Sequence, residues 1–162
     1  MANDPRPAHG GAFVPSGFTP PPPPRTESFW LEPLGPEHNE ADYEAWTSSL
    51  DHIHATPGYP DGSWPQPMSL EQNLGDLERH ADDFRRQVGF TYTVRSTADD
   101  DVIGCVYIYP SNKAEMDADV RSWVRVSHAG LDVDLWATIT AWLDAQWPFR
   151  EGRIDYATRQ SG

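Results

Sequence analysis

Between Asp101 and Tyr156 the chain runs through two apolar strands, a turn carrying Gly130, a long amphipathic helix and a last strand. The segment Asp101–Pro110 is apolar on both faces, as the buried middle of a sheet requires. Asp119–Val126 alternates, with Val120, Ser122, Val124 and Val126 on one side and Arg121, Trp123 and Arg125 on the other. Ser127–Asp132 then opens a helix whose apolar stripe is Leu135, Trp136, Ile139, Trp142 and Leu143. A strand, a helix and a strand in succession form a crossover, which is right-handed and pairs its two strands in parallel. The turn between strand and helix is where many folds bind a phosphate.

Upstream, Phe29–Leu34 reads as a strand ended by Gly35-Pro36. A helix starts at Asn39, its face marked by Tyr43, Trp46, Leu50 and Ile53 and its end by Pro57-Gly58. Tyr59–Pro67 is loop. Ser69 and Gln72 form a capping box for a second helix with the stripe Leu70, Leu74, Leu77, Ala81, Phe84 and Val88, ended at Gly89. Phe90–Arg95 alternates as a strand, and Thr97–Asp101 turns into the buried one. The order is β-α-α-β-β-β-α-β, an α/β fold with a mixed central sheet flanked by helices. Residues 1–26, with Pro5, Pro7, Pro15, the run Pro20–Pro24 and three glycines, are expected to form a disordered leader, leaving 27–162 as the folded domain.

The net charge of −13, from 25 acidic against 12 basic side chains, argues against nucleic acid or an anionic membrane as partner and suits a cationic ligand such as an amine. No apolar run is long enough for a membrane span, and Met1–Asp4 lacks the basic start of a signal peptide, so the expected location is the cytoplasm. Cys105, the one cysteine, sits in the apolar strand and reads as a buried small hydrophobe. His52 and His54 lie in a helical context that turns their rings apart, and zinc needs three or four converging ligands, so no metal is expected.

Three segments resemble the GNAT acetyltransferase superfamily. Leu31–His38 is similar to its first strand and exit, Val102–Tyr109 to its third strand, and Ser122–Arg125 followed by Gly130 to its fourth strand and phosphate loop. The resemblance spans roughly residues 27–159. It implies acetyl-CoA as co-substrate, a small-molecule or peptide amine as acceptor, and direct attack of the amine on the thioester. It assigns CoA binding to Trp123, Val124, Arg125, Val126, His128 and Gly130. Candidate acid–base groups are Glu115, Asp117 and Asp119 before the fourth strand, and Tyr156 on the last. Trp64, between Pro60, Pro65 and Pro67, is the candidate wall of an acceptor pocket.

Two departures bear on that assignment. With the family's first loop glycine at Gly130, Ser127 stands at a Gln/Arg position and Asp132 at a glycine. A carboxylate ~5 Å from a phosphate costs about 1 kcal/mol in water and about 3 at an effective dielectric of 20. Asp132 and Asp134 also have a structural use, at the start of a helix. The family usually continues beyond the fifth strand, and the open edge here is expected to be covered by a homodimer that buries Trp147 and Phe149. The alternative to a transferase is a non-catalytic relative that has lost CoA binding. The two are separated by whether the fourth and fifth strands part beside residues 123–126 with amides free, or whether the groove is filled by the protein's own side chains.

Overall fold

Five strands form one open sheet in the order β1-β2-β3-β4-β5 in the computed structural model, which describes residues 12–59 and 64–160. The strands are β1 (Phe29–Pro33), β2 (Phe90–Ser96), β3 (Val102–Pro110), β4 (Ala118–Val124) and β5 (Ile154–Tyr156). The first four pair antiparallel, and β5 joins β4 in parallel through Ala118↔Ile154, Asp119↔Asp155 and Val120↔Tyr156. The mixed α/β sheet and its element order are those expected from the alternation of residues 90–126. Val106 and Cys105 are fully buried because layers cover both faces of β3.

One layer is α1 (Asn39–Thr47), α2 (Leu50–His54) and α3 (Leu70–Arg86). It packs Trp46, Ile53 and Leu77 onto Cys105 and Trp123. The expected first helix is divided at Ser48-Ser49, yet Trp46 and Ile53 still share a buried face. The start of α3 follows from its capping box: Ser69 Oγ accepts from the Gln72 amide and Gln72 Oε1 accepts from the Ser69 amide. Its end differs from expectation. Gln87, in the left-handed region at φ 59°, closes the helix. Gly89 serves another purpose: a Cβ there would run into the ring of Tyr109. Leu70 and Val88, at the two ends of the predicted stripe, are exposed.

The other layer is α4 (Asp132–Gln146), with Leu135, Ile139, Trp142 and Leu143 buried against Val120, Val124, Phe90 and Tyr92. Residues 12–26 complete this layer, which corrects the expectation of a disordered leader; residues 1–11 lie outside the described residues. Phe13 and Val14 are buried. Phe13 stacks on Phe149 at 5.2 Å, and Phe18 meets Trp147 at 5.2 Å. Pro22 O accepts from Trp142 Nε1, and Pro24 O accepts from the Leu31 amide. Trp147 and Phe149, expected at a dimer interface along the open edge, are covered instead by the chain's own N-terminal segment.

Candidate functional site

Along β4, the backbone groups of Arg121, Trp123 and Arg125 face β3, since the Arg125 amide donates to Ile103 O at 2.8 Å and the register pairs Trp123 with Cys105. Ser122 and Val124 consequently face the β5 side. Pairing with β5 stops at Val120↔Tyr156, and the two strands part beside Ser122.

The opening is filled by Arg159. Its guanidinium donates to Asp132 Oδ2 (Nε, 2.8 Å), Ser122 O (Nη2, 2.8 Å) and Ala157 O (Nη1, 2.8 Å). Its side chain is 2% exposed, and that of Asp132 is 19% exposed. Asp132 stands at the start of α4, where an incoming pyrophosphate would need backbone N–H groups. The N-cap is Leu131, with no side-chain cap, so Asp132 serves as the partner of Arg159. The Val126 amide is also engaged, donating to Ser49 Oγ at 2.8 Å. Acyl-CoA does not fit this groove as it stands.

The other residues assigned to CoA are dispersed. Trp123 is fully buried on the α1/α3 face, donating from Nε1 to Tyr107 Oη at 3.0 Å. Val124 is buried in the α4 layer. Arg125 turns to Glu44 and Val102 O. His128 contacts Ser127 Oγ through Nδ1, and Gly130 is exposed in open space.

The acidic candidates separate in the same way. Glu115 is exposed. Asp117 is buried and accepts from Arg150 and Arg153. Burial alone would raise its pKa, but those hydrogen bonds outweigh it and bring the carboxyl down to about 2. It is thus a structural clamp between the start of β4 and the approach to β5. Asp119, raised by burial against the opposing pull of Arg121, sits 3.4 Å from that guanidinium. Tyr156 Oη lies 2.6 Å from Ser122 Oγ, and burial pushes the phenol up to about 12.

A second concavity opens on the opposite face of the sheet. It has a volume of about 200 Å3, and Tyr59, Trp64 and Tyr107 supply its aromatic walls. Trp64 is therefore at a cavity, its ring 6.0 Å from Tyr59 and 6.2 Å from Tyr107. Sequence reasoning missed its polar groups. Asp42, on α1, is 4% exposed; Oδ2 accepts from Asn73 Nδ2 at 3.2 Å, and Oδ1 has no partner among the described residues. Burial raises its carboxyl to about 6. Tyr59 Oη is buried without a partner among the described residues. His80, on α3, lines the same cavity, with Arg79, paired to Asp76, and Arg121 beside it. Asp42 lies four residues before Trp46 on a helix, and His80 three after Leu77; an acid and an imidazole on apolar stripes were the available signals. His54 binds Pro65 O and His128 binds Ser127, each away from His80.

No protein-family model and no curated protein matches this sequence. Solved structures do. RimL, a ribosomal L7/L12 alpha-N-protein acetyltransferase, has 13% identity and a TM-score of 0.57, over 75% of this chain and 61% of its own. The Salmonella typhimurium acetyl transferase that modifies the N-terminal serine of L7/L12 has 15% identity and a TM-score of 0.58, over 81% and 69%. The microcin C7 self-immunity acetyltransferase MccE, solved with acetyl-CoA and AMP, has 11% identity and a TM-score of 0.55, over 84% and 71%. The chain spans about three fifths of the length of RimL. At these identities the likeness is one of fold.

Proposed function

We propose that this chain, which has the GNAT acetyltransferase fold, is a binding module for a small cationic amine that keeps the acceptor half of the fold and has closed the donor half. The observation that carries this is the placement of Arg159 between β4 and β5, bonded to Ser122 O and Asp132. The pair excludes a pantetheine arm by volume and sets a carboxylate where a pyrophosphate would lie. On the other face, Asp42 offers a buried carboxylate whose Oδ1 has no partner among the described residues, and Tyr59, Trp64 and Tyr107 offer aromatic surface. A cation desolvated against rings and a carboxylate gains from both.

A second reading is favoured by the parting of the strands and by the position of Arg159 outside the sheet. A pyrophosphate entering the groove offers Arg159 a stronger partner than Asp132. With Arg159 swung to it, the chain is an acyl-CoA-dependent N-acetyltransferase acting on the same amine.

Calorimetry with acetyl-CoA and with tyraminium decides between them. The binding module takes up the amine and not acetyl-CoA; uptake of both, with transfer to the amine, establishes the transferase. Binding of neither refutes the cavity as a ligand site. The same reading sets the protein in the cytoplasm. A dimer through the short β5 edge is a separate matter, and sedimentation showing only monomer at tens of micromolar removes it.

A further inference from the structure

His80 is held by a chain of hydrogen bonds that has no evident purpose in packing alone. Tyr109 Oη donates to Asp83 Oδ2 at 2.7 Å, so its hydroxyl proton is spent. His80 Nδ1 lies 2.9 Å from the same phenol oxygen. That contact is a hydrogen bond only when Nδ1 carries the proton and Tyr109 accepts. Thr91 Oγ1, 3.1 Å from Nδ1, shares it. Gly89 leaves room for the Tyr109 ring that makes the chain possible. The imidazole is also kept neutral: burial, and secondarily Arg79, lower its pKa to about 4 against the opposing charges of Asp83 and Asp76. In a neutral imidazole with Nδ1 protonated, Nε2 is a bare acceptor. Nε2 has no partner among the described residues, and the ring lines the cavity that holds Asp42.

We infer that His80 is a specificity-determining residue: its Nε2 lone pair, fixed by Tyr109 and Asp83, requires the ligand to present a hydrogen-bond donor besides the cation that meets Asp42. This rests on the amine-binding reading and narrows it. The ligand class is a small, doubly donating amine with an apolar middle, such as a hydroxyaryl amine. The volume suits it, since about 200 Å3 is the room of roughly six or seven liquid waters, enough for about ten non-hydrogen atoms. A ligand without the second donor leaves a buried acceptor unpaired, which lowers affinity about ten- to hundredfold.

The test is calorimetry at neutral pH with tyramine, phenethylamine and 4-methoxyphenethylamine, which share a cation and ring and differ in the second donor. Tyramine is expected to bind about ten- to hundredfold tighter than the other two. Substituting His80→Phe should erase that preference, as should Tyr109→Phe, which frees the imidazole to change tautomer. Nitrogen-15 spectra of the histidines supply an independent readout: Nδ1 protonated and Nε2 bare in the native protein, a mixture in Tyr109→Phe. Equal binding of all three amines overturns the role of His80 and leaves the amine site standing. A native Nε2–H tautomer, or a tyramine preference surviving both substitutions, overturns it as well. Binding of none of the three removes the amine site and this inference together.

Discussion

Asp42→Asn should make the protein more stable and unable to hold a cation. The carboxyl is surrounded by Asn73, Trp46 and the cavity walls, and burial raises its pKa from the ordinary 3.8 to about 6, with the Asn73 hydrogen bond and His38 pulling the other way and Asp76 adding to the rise. That rise corresponds to about 3 kcal/mol of ionisation penalty at neutral pH. An asparagine carries no such penalty and can still accept from Asn73 Nδ2, though its own amide protons need partners in the cavity, at a cost of ~1 kcal/mol. The net gain is about 1–2 kcal/mol, or roughly 2–8 °C in Tm for a chain of this size. The sign with pH follows from proton uptake. Between pH 3.8 and about 6 the unfolded carboxyl has ionised and the folded one has not, so wild-type stability falls as pH rises through that window. Below it the variant should be the less stable by ~1 kcal/mol, and above it the variant's advantage should be constant. Urea titrations at intervals from pH 4 to 8 measure the difference directly. A variant less stable than wild type at neutral pH, or a difference that does not change across the window, would refute the claim that Asp42 is an uncompensated buried acid. Saturating amine should erase the gap by stabilising only the wild type.

Arg159→Ala leaves Asp132 with both oxygens unpaired in a partly buried site, and about 2–4 kcal/mol of stability should be lost; Arg159→Ala with Asp132→Ala should recover at least about 1 kcal/mol of it, as a double-mutant cycle by thermal melts will read. The double variant clears both the guanidinium and the carboxylate from the groove, so calorimetry should show acetyl-CoA bound more tightly than by wild type, with amine affinity unchanged. Phe13→Ala removes a ring stacked on Phe149 and should cost about 3–5 kcal/mol by denaturant titration, where a disordered leader would cost nothing. Asp117→Ala strands Arg150 and Arg153 and should lower stability by about 3 kcal/mol without altering amine affinity; a selective loss of ligand binding would return Asp117 to the site.

The parts of the molecule legible in the sequence are those fixed by periodicity. Residues 90–126 alternate or run apolar because each strand's faces are decided by the layers on them, and β2, β3 and β4 emerge at those positions. Asp42 and His80 were hidden inside helix stripes, where spacing says which face a residue occupies and not whether a neighbour will satisfy it. Gly89 read as a helix stop because its other use, making room for Tyr109, depends on β3, which follows it in the chain.

The N-terminal segment and Arg159 were illegible for a common reason. Composition describes what a segment can do alone, and neither acts alone. A stretch with Pro15 and the Pro20–Pro24 run forms no helix or ladder of its own, yet it needs none to set Phe13 and Phe18 on Phe90, Trp147 and Phe149. The two rings expected at a second subunit, Trp147 and Phe149, are matched by apolar residues more than a hundred positions earlier in the same chain. Nothing in Ala157–Gln160 marks a plug either, because the hole it fills exists only once β5 leaves β4. Both features close surfaces that the sheet would otherwise expose, one over the α4 layer and one in the groove between β4 and β5. The groove's closure is held by polar contacts at a single side chain, whereas the leader is held by several buried rings. The groove should therefore open at a far lower free energy than the leader detaches, and hydrogen exchange that is fast at Ser122 and Val124 and slow at Val14 and Leu31 would bear out that order, the reverse pattern refuting it.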